Sequence, residues 1–143
     1  MSEQNKPEIL KMELEALSKN EEFARVAVAV FMARLNPTLE EVNDVKTAVS
    51  EAVTNAVIHG YQGQGGIIYL EVEVDGQEIS VTVKDTGIGI PDIKRAMGPS
   101  TTDPDGERSG MGFSFMEAFM DQVEVNSAPG EGTSVTMKKK ISR

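Results

Sequence analysis

The sequence predicts an α/β fold, a two-layer sandwich in which a mostly antiparallel sheet is covered on one face by about three helices. Two observations carry this. Alternating apolar segments come in neighbouring pairs joined by short turns, the connection that antiparallel strands need. The helical segments stand apart from those pairs, and one of them is about 20 residues long. Strands and helices therefore separate into layers rather than alternating as in a doubly wound parallel sheet.

The elements follow in order. Residues 8–16 put Leu10, Met12, Leu14 and Ala16 on one face and Lys11, Glu13 and Glu15 on the other, the pattern of a half-buried strand. Asn20 is expected to cap a helix over 21–35, with Glu21 and Glu22 in its first turn. That helix is apolar on most sides and must be buried against a sheet or another subunit. Thr38-x-x-Glu41 is a capping box, and the helix it opens can run from Leu39 to His59. Val42, Val45, Val49, Ala52, Val53, Ala56 and Val57 form its apolar face, and Gly60 suits a C-cap with positive φ. The turn Gln62–Gly66 leads to strands at 67–74 and 78–84, joined by Asp75-Gly76, the strongest short hairpin signal. A Gly-rich turn follows Asp85, residues 92–97 can form one or two helical turns, and 98–112 read as a mobile loop. A helix from about Gly112 to Met120 and strands at 122–127 and 132–140, joined by Ala128-Pro-Gly-Glu131, complete the chain.

Composition narrows the function. The 143 residues suit one domain over 1–143, with a flexible start at 1–7. Fourteen Lys and Arg against 23 Asp and Glu leave a net charge of −9, which argues against general binding to nucleic acid or to an anionic membrane. Lys138, Lys139, Lys140 and Arg143 read as a solvated strand end. The absence of cysteine excludes disulfides, a thiol nucleophile and Cys-ligated zinc, and a single histidine leaves little for a multi-His metal site. No signal-peptide core and no apolar run of membrane-spanning length is present, so a cytoplasmic protein is expected.

Three segments can carry chemistry. Glu51, Asn55 and His59 recur at i, i+4 and i+8 on the long helix, within an otherwise apolar stretch. An Asn oxygen is a suitable hard ligand for Mg²⁺, which takes few protein ligands and completes its shell with phosphate and water. Asp85-Thr-Gly87-Ile-Gly89 follows a strand directly, so an acceptor for an exocyclic amine stands beside backbone that a planar ligand can approach closely. Asp-Thr-Gly also occurs in aspartic proteases, but the long amphipathic helix does not fit an all-β protease. Glu107-Arg108-Ser109-Gly110-Met111-Gly112-Phe113 is a Gly-rich loop running into a helix, where free N–H groups and Arg108 suit an anion. It lacks the Gly-Lys-Ser/Thr of a P-loop, and no kinase His-Arg-Asp or Asp-Phe-Gly occurs.

The order of the three segments resembles the GHKL (Bergerat-fold) ATP-binding superfamily, whose N, G1 and G2 boxes they match. The wording narrows this to small single-domain serine kinases that act as bacterial anti-sigma factors. Ser50-Glu-Ala-Val-Thr-Asn-Ala-Val-Ile-His-Gly-Tyr61 and Glu107-Arg-Ser-Gly-Met-Gly-Phe113, with Phe23-Ala-Arg25 and Met116-Glu-x-Phe-Met-Asp121, are similar to the sporulation anti-sigma F family from about Met12 to Thr136. The resemblance implies Glu51 as general base toward an acceptor serine and Asn55 as Mg²⁺ ligand. It implies Asp85 as adenine reader, with Gly87 and Gly89 lining the base and α-phosphate. Gly110, Met111 and Gly112 would hold phosphates by backbone, Arg108 would be a lid arginine, and Thr133 a second adenine contact. Residues 94–110 would be a mobile ATP lid, in which Asp103 stands where relatives tend to carry Lys. Arg25 would contact partners, and the apolar first helix would suit a homodimer. ATP and Mg²⁺ are implied, with a sigma factor of the F type and a serine-bearing anti-anti-sigma factor as partners. A nucleotide-gated sigma-binding module without kinase activity, or the general stress anti-sigma B type, is the rival reading.

Overall fold

A computed structural model describes residues 6–89 and 104–142, the stretch 104–111 as backbone only. Strand β1 (Glu8–Glu15) is followed by helix α1 (Lys19–Met32), a 3-10 turn (Ala33–Leu35) and helix α2 (Leu39–Asn55), which continues into a π turn (Ala56–Gly60). Strands β2 (Ile67–Asp75) and β3 (Glu78–Asp85), helix α3 (Pro104–Phe119) and strands β4 (Gln122–Ser127) and β5 (Thr133–Lys140) complete it. The five strands form one sheet in the order β1-β2-β3-β5-β4, and each neighbouring pair is antiparallel. The expected α/β class and its two layers are thus observed, with helices on one face.

Alternation decides which face that is. Ile68, Leu70, Val72 and Val74 of β2, Ile79, Val81 and Val83 of β3, and Val135 and Met137 of β5 are buried. Helix α2 lies over them with Val45, Ala48, Val49, Ala52 and Val53, all buried, and is flanked by α1 and α3. Burying one such valine contributes roughly 1.5–3 kcal/mol, so this row is the main source of stability. The small residues Ala48, Ala52 and Ala56 let the helix axis approach the sheet.

The start of α2 is fixed as the sequence predicts. Thr38 Oγ1 accepts from the Glu41 amide at 3.1 Å, and the Thr38 amide donates to Glu41 Oε1 at 2.9 Å. The other Glu41 oxygen accepts from the Ser142 amide at 2.9 Å, tying the segment after β5 to the same helix end. Lys139 adds a second clip: its Nζ donates to the Phe119 carbonyl at 2.9 Å and stands 3.7 Å from Asp44.

Four expectations change. The N-cap of α1 is Ser18, not Asn20; Asn20 lies inside the helix and its side-chain N–H donates to the Glu15 carbonyl at 2.8 Å. That bond reaches back to the strand instead of capping. Helix α2 is not regular to His59, because its last turn widens to π geometry from Ala56. Gly60 does not carry positive φ; Gln62, with φ of 55°, does. Helix α3 begins at Pro104 rather than Gly112. Proline is favoured at a first helical position, because its missing N–H has no helical partner there in any case. The expected turns at 92–97, Asp103 and most of the expected lid lie outside the described residues.

Candidate functional site

The site is built where α2 ends against the C-terminal end of β3. After the π turn, Gly60 lies against Asp85: a Cβ on Gly60 would stand 2.8 Å from the Asp85 carboxyl carbon. The glycine is required here by a close approach rather than by its φ. Gly87 is the reciprocal case, because a Cβ there would run into the Gly60 carbonyl. Gly89, at φ of 80°, passes equally close to the Ala128 carbonyl. The turn after β3 therefore threads between the end of α2 and the β4–β5 connection with no room for a side chain at Gly87 or Gly89.

This turn has specific anchors. The Gly87 amide donates to Asp85 Oδ1 at 2.9 Å, and the Ile88 amide donates to the Gly60 carbonyl at 3.0 Å. The Gly130 amide closes on the Ile88 carbonyl at 2.6 Å. Asp85 is 4% exposed, the one buried charged residue among those described. Burial raises its carboxyl above the ordinary range, opposed by backbone N–H groups of Gly87 and Thr133. A carboxylate has about four lone-pair positions, so two backbone donors leave acceptor capacity for a ligand amine. Thr133 pairs across the sheet with Asp85, and its hydroxyl lies 2.8 Å from that of Ser127. A hollow of about 320 Å³ opens beside this pair, lined also by Lys84, Asn126 and Glu131.

The second group lies one turn back along α2. Glu51 and Asn55 share a face, and Gly112 of α3 lies over both: a Cβ on Gly112 would stand 3.2 Å from Glu51 Oε1 and 3.3 Å from Asn55 Nδ2. Burial raises the Glu51 carboxyl, and the like charge of Glu21 on α1 raises it further. Asn55 Nδ2 is buried and has no hydrogen-bond partner among the described residues. A buried donor left so is uncommon, and a bound polar group with an acceptor is one way to satisfy it. The π turn means that helical spacing no longer projects His59 onto the Glu51–Asn55 face.

The remaining predicted residues are placed unequally. Gly110 and Met111 lie within α3, as does the backbone of Arg108. An α-helix leaves the N–H groups of its first turn unpaired; in α3 Pro104 has none, so the free ones belong to residues 105–107 rather than to 110–112. Arg25 is ion-paired with Glu21 at 3.0 Å, one turn apart on α1. The partner-contact candidate is thus linked to the surroundings of Glu51, a connection absent from the sequence reading. Glu21 and Gly60 were also missed as parts of the site. For Gly60, the signal was a glycine directly after the Asn-containing helix that was read as a cap.

Residues 14–139 match the family model of the histidine kinase-like ATPase domain. The anti-sigma F factor of Clostridium acetobutylicum is 55% identical over 135 residues, covering 92% of this chain and 94% of the relative. The chain belongs to the anti-sigma F factor family of histidine kinase-like ATPase domains. The Bacillus licheniformis member of this anti-sigma F family is 48% identical over 136 residues, covering 94% of this chain and 93% of its own. Among solved structures, the RsbU and RsbW domains of a Mycobacterium tuberculosis protein superpose with a TM-score of 0.70 at 22% identity, covering 95% of this chain and 32% of that one. That likeness shows the fold. A histidine kinase domain from Erythrobacter litoralis has a TM-score of 0.55 at 25% identity, covering 72% of this chain and 46% of that one. The family's ATPase fold accounts for the two-layer architecture and makes this an anti-sigma factor with a kinase-type, ATP-binding domain.

Proposed function

We propose that this protein binds ATP with Mg²⁺ between Asp85 and Glu51, sequesters a sigma factor of the F type in the cytoplasm, and phosphorylates a serine of an anti-anti-sigma antagonist. One observation carries the nucleotide reading: the buried Asn55 Nδ2, a donor with no acceptor among the described residues, lies with Glu51 under Gly112, where a phosphate oxygen would satisfy it. Among the described residues no cluster of three acidic or histidine ligands exists. A cation here would have to be one that accepts few protein ligands, which fits Asn55 Oδ1 and Mg²⁺ on phosphates. When bound, Mg²⁺ supplies positive charge that offsets the charge on the transferring phosphoryl group.

The chain's own residues divide the remaining work. Asp85, with Thr133 beside it, accepts from the exocyclic amine of adenine, and Gly87 and Gly89, whose missing side chains make room for the Gly60 and Ala128 carbonyls, would line the base with backbone. Glu51 takes the proton of the acceptor serine hydroxyl on its carboxylate as the new bond forms. The burial and the Glu21 charge that raise its pKa make it a stronger base than a solvated glutamate. Arg108, Gly110, Met111 and Gly112 would meet the phosphates. For their amides to do so, the first turns of α3 have to open, and three glycines in that stretch, Gly106, Gly110 and Gly112, make it weak as a helix, by about 1 kcal/mol each relative to alanine. Arg25 would serve partner contact. A phosphoserine brings a charge of roughly −1.5 to −2. Set against a chain of net charge −9, that charge would release the antagonist.

The deciding experiment is γ-³²P transfer from ATP-Mg²⁺ to an anti-anti-sigma protein, with its acceptor serine changed to alanine as control. Transfer that requires both that serine and Glu51 supports the kinase; nucleotide binding without transfer leaves a nucleotide-gated sequestering module.

A further inference from the structure

We infer that Tyr61 is a positioning residue for the nucleotide site, holding the Asp85–Gly87 turn in its ligand-ready shape through its hydroxyl. The inference rests on the nucleotide reading above and adds a residue to it. Tyr61 immediately follows the π turn. Its own amide donates to the Ala56 carbonyl at 2.9 Å, and its carbonyl accepts from the Gln64 amide at 2.9 Å, so its backbone is held on both sides. The ring is partly buried against the core, and Gly66 lies so close that a Cβ there would stand 2.5 Å from the nearest ring atom.

The hydroxyl uses its full bonding capacity. It donates to the Ile67 carbonyl at 2.6 Å, accepts from the Thr86 amide at 2.8 Å, and lies 3.1 Å from the Thr86 hydroxyl. Thr86 stands between Asp85 and Gly87. Three successive amides of the turn thus have three separate acceptors: the Tyr61 hydroxyl for Thr86, Asp85 Oδ1 for Gly87 and the Gly60 carbonyl for Ile88. Two of those acceptors come from residues 60 and 61, so the end of the Asn55 helix sets the attitude of the Asp85 carboxylate. Without the hydroxyl the Thr86 amide loses its partner, and the turn can rotate to find another.

Tyr61→Phe keeps the ring and removes the pin. Its dissociation constant for ADP, measured by calorimetry, should rise about tenfold, the scale expected for losing one to two hydrogen bonds that order the turn. In nucleotide-free protein, amide hydrogen exchange at Thr86 and Gly87 should accelerate, while Val81 and Val83 in β3 should exchange as in the wild type. Thr86→Val, which keeps the amide bond, should change affinity about twofold or less. Should Tyr61→Phe not fold, Gly66→Ala, which displaces the ring, must weaken ADP binding comparably. Unchanged affinity in the folded variant overturns the inference, with or without faster exchange at Thr86. An effect of Thr86→Val equal to that of Tyr61→Phe also overturns it. Absence of ADP and ATP binding by the wild type would instead overturn the nucleotide reading, and this inference with it.

Discussion

Asp85 is placed where burial opposes its own charge. Its folded-state pKa is raised, so the native state holds the proton more tightly than the unfolded chain does. The stabilisation from that difference is complete below the unfolded pKa and is lost as pH rises through the raised value. At neutral pH the carboxylate is therefore a burden in the ligand-free protein. Asp85→Asn is expected to raise Tm by a few degrees at pH 7, with the gain vanishing below about pH 4, as followed by calorimetry across pH. The same variant should lose its preference for ATP over GTP, and an unaltered preference would refute the assigned role. Glu51→Ala should reduce phosphoryl transfer by at least about 10²-fold with ATP binding nearly intact; if binding fails too, Glu51 is structural. These two acids stand out as candidates in the sequence, because each interrupts an apolar or Gly-rich context. Gly60 and Tyr61 were not legible as site residues, because their roles come from close approaches between elements some 25 residues apart.

At the level of elements, alternation and turn chemistry placed the strands to within a residue, because a one-residue slip would turn every buried side chain outward. The Thr38–Glu41 box was equally plain, since its two bonds are local. Helix ends set by tertiary contact were not plain: the π turn from Ala56 ends where Gly60 meets Asp85, and the Asn20 side chain bonds the Glu15 carbonyl of β1. Thr38→Ala should lower stability by about 1 kcal/mol, seen as a drop in Tm of several degrees. Glu41 has its pKa lowered, chiefly by the Thr38 amide, so its contribution is present above the unfolded pKa and is lost as pH falls through the folded one. The glycines of α3 give a further expectation. If its first turns open on binding, saturating ATP-Mg²⁺ should reduce helical circular dichroism at 222 nm, and Gly110→Ala should resist the change and weaken binding.

On the scale of the whole molecule, α1 leaves Phe23, Val26 and Val30 exposed at 55%, 45% and 69%, at i, i+3 and i+7 on one side. A self-associated protein would cover that side, so Val30→Glu is expected to halve the sedimentation mass of a homodimer while leaving the melting profile of the isolated domain within about 1 kcal/mol of wild type. Unchanged mass would overturn α1 as a contact between copies. The order of strands carries a different consequence. Strand β5 is the last in the chain, yet it sits inside the sheet, between β3 and β4, and pairs Thr133 with Asp85. A nascent chain emerging from the ribosome can form the β1–β2–β3 portion early, but the side of β3 next to Asp85 stays open until the residues after 132 have left the exit tunnel. Until then Ile79, Val81 and Val83 border an unpaired strand edge, the kind of surface on which half-made chains adhere to one another. Synthesis thus leaves Asp85 without its Thr133 neighbour until β5 has been made, and a chain that stalls short of β5 lacks that half of the candidate site.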